Sequence, residues 1–289
     1  MGNKNIRFYY LIILALVWGS SFILIKRGLT GLNPYQLGSL RIVFAGLFLL
    51  IIGFNSIKKI QQRHWKYLAL TACLGTFLPV YLFAVAQTQI SSSVSAILNS
   101  LTPLNTFIVG ILIFSINFQR RQVFGVFVGF IGSLILVLNG ASNNPEQNYY
   151  YAILLIIASL CYAVNVNLIK IYLSDLSPLS ITTGNFIIIL IPALSVLYFS
   201  DFYTAIESIH TQSVIIYVAI LGIVGTALAN VLFFHLIKIS SPVFAASVTY
   251  LIPLVAFLWG MVDNEKLTFI QLIGGLIILA GVYLSAKKQ

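Results

Sequence analysis

The sequence predicts an all-α integral membrane protein: ten transmembrane helices arranged as two inverted five-helix repeats, with both termini cytoplasmic. Three observations carry the prediction. Of the 289 residues, 60% are hydrophobic and only 8% charged, with a mean hydropathy of +1.01. No water-soluble core uses that much apolar surface; it belongs with runs of about 20 residues that each cross a bilayer. Ten such runs lie near residues 8–27, 34–54, 66–87, 92–114, 121–139, 149–171, 178–200, 213–236, 242–262 and 268–286. The third observation is an internal repeat.

Shifting Tyr67–Leu134 by 150 positions gives sixteen identities in sixty-eight, without a gap. So apolar a composition would give roughly one in ten by chance. The matches include Thr76/Thr226 and Ser91/Ser241; those at Gly75/Gly225, Pro103/Pro253, Gly110/Gly260 and Gly125/Gly275 weigh most, because they mark backbone features rather than greasiness. A second offset, 144, aligns the start of each half through Leu16/Leu160, Lys26/Lys170 and Pro34/Pro178. The change of offset places about six extra residues near Asp201–Gln212. The repeats are residues 1–142 and 143–289, with five spans each. An odd number of spans makes the second copy enter from the opposite side. Inverted repeats are the architecture of alternating-access transporters, with the site near the midplane between the copies.

The distribution of Lys and Arg sets the orientation. With the N-terminus inside, Lys4, Arg7, Lys58, Lys59, Arg63, Lys66, Arg120, Arg121, Lys170, Lys238, Lys287 and Lys288 fall inside. Lys26, Arg27, Arg41 and Lys266 fall outside, a division of twelve against four. Five of the six acids, Glu146, Asp201, Glu207, Asp263 and Glu265, lie on the outer side. The basic N-terminal flank and its apolar run read as a retained first span. The net charge of +10 is spread between apolar runs and forms no basic face, so no nucleic-acid partner is expected.

No Asp or Glu falls within any span. That removes paired-carboxylate catalysis, carboxylate metal sites and acidic proton relays. There is no phosphate loop, zinc spacing or nucleophile motif, so the chain reads as no enzyme, with no cofactor and no metal. Cys73 and Cys161 lie inside apolar runs and read as small core residues. His64 and His210 are expected in loops. His235, near the inner end of the eighth span, reads as an interfacial ring.

What remains is a set of uncharged polar and aromatic residues at helical spacing. Ser95, Asn99, Thr102 and Thr106 share one face of the fourth span; their counterparts are Ala245, Thr249, Ile252 and Ala256. Trp18 and Ser21 share a face of the first span, echoed by Tyr162 and Asn165 in the sixth. Tyr81, Asn230 and Tyr250 come from the third, eighth and ninth. Amides in hydrocarbon must find partners, so this set faces either a wet cavity or other helices. The substrate-binding candidates are Trp18, Ser21, Tyr81, Asn99, Tyr162, Asn165, Asn230 and Tyr250. Pro103 and Pro253 are candidate hinges, since each removes a helical hydrogen bond. Gly125 and Gly129 suggest close helix packing, Arg41 reads as snorkelling toward the outer surface, and Lys26 and Lys170 as interface anchors.

With these residues the chain resembles the drug/metabolite transporter superfamily, in its ten-helix bacterial EamA-type branch. The resemblance rests on Trp18, Gly19 and Phe22 (W-G-x-x-F), on Pro34 and Arg41 (P-x6-R), and on the central prolines of the fourth and ninth spans. Glu265 and the glycine-rich last span add to it. Ser115 stands where the family carries an acid after the fourth span, and the sixth span has no W-G-x-x-F. The resemblance implies a central cavity lined by helices one, three, four, six, eight and nine, in the bacterial inner membrane. The expected function is export of a small polar or zwitterionic, amino-acid-like solute, by facilitated diffusion or exchange. The expected partners are that small molecule and the lipid bilayer, and the protein is a monomer or weak homodimer. The rival readings are an organic-anion or phosphate-ester exchanger using Lys26, Lys170 or Lys238, and a non-transporting membrane subunit.

Overall fold

The computed structural model describes residues 3–90, 92–117, 119–141, 148–262 and 269–286, helical almost throughout. Hydrocarbon offers backbone N–H and C=O groups no water, so a chain this apolar closes its hydrogen bonds within helices. The described helices longer than four residues fall into ten rods. The first is Asn3–Gly28, the second Pro34–Ile57, the third Gln62–Ala86. The fourth is broken into Ser92–Asn99 and Thr102–Leu112, and the fifth is Arg120–Ala141. The sixth is Ala152–Tyr172, the seventh Pro178–Phe199 and the eighth Ile209–Ile239. The ninth is broken into Pro242–Ala246 and Val248–Val262, and the tenth is Phe269–Ala286. Six of them (the first, second, third, sixth, seventh and eighth) are long and apolar enough to cross a membrane. Glu146, Asp263, Glu265, Lys266, Lys287 and Lys288 lie outside the described residues.

The second and seventh rods start alike. Asn33 caps the second through Tyr35 and Gln36, Gln36 returns a bond to the cap, and Pro34 fills the first turn. Ser177 caps the seventh through Ser180, again with a proline, Pro178, at the start. Each cap satisfies N–H groups that a helix start leaves orphaned, and a proline there lacks only a donor that had no partner. His64 and His210, expected in loops, belong to the first turns of the third and eighth rods.

The principal packing contacts return to themselves when each rod is exchanged for the one five places later. The second packs on the seventh, and the fifth along the tenth. The first packs on the eighth and ninth, as the sixth packs on the third and fourth. The fifth–tenth crossing is a glycine seam, in keeping with the Gly125–Gly129 spacing. A Cβ on Gly281 would strike the backbone of Gly125 and Gly129, and one on Gly132 the backbone of Gly274 and Ile278. Small residues let helix backbones meet where lipid supplies no hydrophobic drive.

Two rods widen at equivalent places. Cys73–Phe77 in the third and Ile223–Leu228 in the eighth are single π turns, 150 positions apart and each holding a Gly-Thr pair. Pro79 has no N–H to return to the Gly75 carbonyl four residues back. In the eighth rod the N–H of Ala229 goes to Val224 and Thr226 instead of Gly225. Such single turns free main-chain groups for other contacts.

Candidate functional site

Between the halves lies a cavity of about 90 Å³, room for several water molecules. Its walls come in pairs related by the repeat. Trp18 stands with Tyr162, Ser21 with Asn165 and Phe22 with Val166, at offset 144. Thr76 stands with Thr226, Val80 with Asn230, Phe83 with Phe233, Asn99 with Thr249 and Thr102 with Ile252, at offset 150. The aromatic packing follows the same relation. Trp18 meets Phe233 edge-on at 4.9 Å between centroids, and Tyr162 meets Phe83 at 6.2 Å.

Both glycines of the π turns admit a polar side chain from the opposite half. A Cβ on Gly75 would come within 2.6 Å of the Asn165 amide, and one on Gly225 within 2.8 Å of the Ser21 hydroxyl. Trp18 Nε1 donates to the Gly225 carbonyl at 3.0 Å. Thr102 and Thr249 return their hydroxyls to carbonyls of their own helices, at 2.7 and 2.9 Å. Two buried side-chain oxygens on the cavity wall, Asn165 Oδ1 and Thr76 Oγ1, have no hydrogen-bond partner among the described residues.

Six of the eight binding candidates (Trp18, Ser21, Asn99, Tyr162, Asn165 and Asn230) line this cavity. Tyr81 and Tyr250 point elsewhere. The Tyr81 hydroxyl lies 2.8 Å from Ser39 Oγ, tying the third rod to the second. Tyr250 is fully buried and donates to the Val126 carbonyl at 2.9 Å, tying the ninth rod to the fifth. The polar stripe of the fourth rod also divides. Asn99 and Thr102 face the cavity, while Thr106 presents its carbonyl to Asn167 Nδ2 at 3.1 Å and Asn105 donates to Ser159 at 2.8 Å. That second group is a seam of helix-to-helix hydrogen bonds. Pro103 follows the break at Ser100–Leu101, whereas Pro253 lies inside the last piece of the ninth rod, whose break falls at Ser247.

Arg41, expected to snorkel outward, turns inward. It lines the cavity and donates Nε–H to Thr226 Oγ1 at 2.6 Å, while Thr226 donates to the Leu221 carbonyl at 2.9 Å. Its depth in an apolar run was the available signal. Lys170 and Lys238 lie away from the cavity. Lys170 Nζ donates to the carbonyls of Ile237, Lys238 and Ser240 at 3.0, 3.2 and 2.6 Å, closing the C-terminus of the eighth rod. Lys238 Nζ donates to the Leu176 carbonyl at 3.2 Å. Lysine suits a helix C-terminus, where unpaired carbonyls point outward. Lys26, exposed at the end of the first rod, is also no part of the wall. Five residues after Lys170, Asp175 pairs with Arg63 at 2.7 Å and His64 Nε2 at 3.0 Å. No cluster of three or more His, Cys, Asp or Glu able to hold a metal ion occurs among the described residues.

The sequence profile of the EamA-like transporter family matches residues 6–138 and again 150–287. Over 284 residues the chain is 27% identical to an "Uncharacterized transporter" of Archaeoglobus fulgidus, covering 95% of each. It is 26% identical over 284 residues to the "Uncharacterized inner membrane transporter YedA" of Escherichia coli K12, covering 95% of this chain and 89% of that one. A Salmonella typhimurium relative, "Probable amino-acid metabolite efflux pump", is 25% identical over 287 residues, with 95% and 92% covered. One solved crystal structure shares the fold, with a TM-score of 0.73 at 13% identity over 97% of this chain and 96% of its own.

Proposed function

This chain belongs to the EamA-like transporter family, and we propose that it exports a small polar or zwitterionic, amino-acid-like metabolite across the bacterial inner membrane by alternating access. The cavity between the halves carries this reading, because its walls mix apolar rings with a few hydroxyls and amides drawn from both repeats. Small-molecule sites combine a mostly apolar surface with a few polar groups that fix orientation. Trp18, Tyr162, Phe83 and Phe233 would wall the solute; Ser21, Asn99, Asn165 and Asn230 would orient it. Tyr81 and Tyr250 would act as packing residues. The names of the Salmonella and Escherichia coli relatives support export and the inner membrane.

In this reading residues 1–142 and 143–289 are inverted repeats of five spans with both termini cytoplasmic, and the halves rock about the cavity. Pro103 and Pro253 would loosen the broken fourth and ninth rods that line it. With no acid in any span, movement is by facilitated diffusion or exchange rather than carboxylate-based proton coupling. The test is flux from proteoliposomes loaded with mixed amino acids and metabolites, followed by mass spectrometry, with Trp18→Ala and Asn99→Ala alongside. Selective loss of a few solutes, abolished in both variants, is the expected result. A chain that moves nothing, with or without a counter-solute or pH gradient, would leave only the packing role of these polar groups.

A further inference from the structure

We propose that Arg41 is the carboxylate receptor of the cavity, so that the exported solute is a small monocarboxylate, with or without an α-amino group. The inference rests on the transport reading above and names its substrate class.

Arg41 lies seven residues after the start of the second rod at Pro34, roughly 10 Å along the helix at 1.5 Å per residue. A guanidinium does not give up its proton, and a fixed charge at such depth is costly unless something compensates it. Here the one protein partner of its N–H groups among the described residues is neutral, the Thr226 hydroxyl on Nε. The two terminal nitrogens make no hydrogen bond or ion pair within the described residues, and no carboxylate lines the cavity. Two parallel N–H groups on a planar cation match the two oxygens of a carboxylate.

The opposite half shows that the fold does not require this charge. Offset 144 pairs Arg41 with Asn185. That amide is buried away from the cavity, 3.0 Å from the Thr71 hydroxyl. The equivalent crossing is thus held by neutral groups, and the cation is confined to the side that faces the cavity.

One cation without an acid sets the charge of the guest. A monoanion neutralises it. A dicarboxylate or a phosphate monoester, which carries about two negative charges near neutral pH, would bring a charge without a partner. An amine lacking a carboxylate would meet only repulsion. The unpartnered Asn165 Oδ1 and Thr76 Oγ1 can accept the N–H or O–H of an α-substituent.

The test uses the full-length protein in liposomes loaded with the proteinogenic L-amino acids, L-lactate, pyruvate, alaninamide, lactamide, putrescine and glucose. The expected result is that every solute carried bears one free carboxylate, each at least about tenfold faster than its amide. Arg41→Gln should slow the acids by about ten- to a hundredfold and abolish the preference over amides. Arg41→Lys should keep part of it, because charge remains while the fork is lost. Amino acids among the carried solutes would assign the α-amino form; lactate or pyruvate alone would assign the plain acid. Should Arg41→Gln not fold, the wild-type acid-to-amide ratio and Arg41→Lys decide. Amides carried as fast as acids, or acids carried at the wild-type rate by Arg41→Gln, would overturn the inference and leave transport intact. Selective flux of glucose or putrescine would do the same. No flux of any solute would remove the transport reading, and this one with it.

Discussion

The indole N–H of Trp18 donates to the carbonyl of Gly225, 3.0 Å away and 207 residues later in the chain. The bond exists because the eighth rod widens there and sends the Ala229 N–H to Val224 and Thr226. Trp18→Phe keeps a ring against Phe233 and deletes the donor. Unfolding in mixed micelles should shift by about 1 kcal/mol toward the unfolded state, the usual net worth of such a bond. An unchanged transition would show the contact to be idle.

The π-turn glycines are tested by adding one carbon. Gly75→Ala drives a methyl into the Asn165 amide, and Gly225→Ala drives one into the Ser21 hydroxyl. Overpacking of this kind costs about 1–3 kcal/mol. The double variant Gly75→Ala with Asn165→Ala should recover most of the loss in melting temperature, since contacting residues do not add independently. Recovery with Ser21→Ala in place of Asn165→Ala would contradict the pairing.

Tyr250 and Asn99 should separate stability from transport. Tyr250→Phe removes the bond to the Val126 carbonyl and should cost about 1 kcal/mol of stability, with solute preference unchanged. Asn99→Ala should abolish the flux of the carried solutes while the melting temperature stays close to wild type. Solute competition assays on both variants, paired with thermal unfolding, would expose any reversal of these roles.

A pH dependence follows from the Asp175 cluster. Slight burial pushes this carboxyl up, but the hydrogen bond from His64, a backbone bond and the charge of Arg63 outweigh it and hold the carboxyl below its ordinary value. The His64 ring takes part through Nε2–H, because Nδ1 accepts from the Gln61 N–H at 3.1 Å. A lowered folded-state value adds stability that is fully present above the unfolded value, about 3.9. That stability is lost as pH falls through the folded value. Wild type should therefore lose stability relative to Asp175→Asn as pH drops below about 4. Parallel melting curves for the two proteins across that window would contradict the assignment.

Much of this was legible from periodicity alone. The matched glycines Gly75 and Gly225 marked a shared backbone feature, and the structure shows it to be the widened turn of the third and eighth rods. The pairing of Trp18-Ser21 with Tyr162-Asn165 anticipated four walls of the cavity. What spacing could not give was direction. Tyr81 and Tyr250 carry the same chemistry as Tyr162, but a hydroxyl in hydrocarbon settles on whichever acceptor is near, and for these two it is Ser39 or a backbone carbonyl of the fifth rod. Arg41 was hidden for the converse reason. A long side chain two turns from a helix end reaches water or an interior equally well, and only its neighbour Thr226 decides.

The exchange of partners between halves has a consequence for assembly. The first rod finds its main neighbours in the eighth and ninth, the sixth in the third and fourth, the second in the seventh and the fifth in the tenth. Among the described residues, each buried apolar cluster mixes side chains of both halves. The two are interlaced like the protomers of an obligate dimer that happen to share one polypeptide. Cutting the chain between the fifth and sixth rods should yield two fragments that fold only when made together. Each half is then the template on which the other is completed.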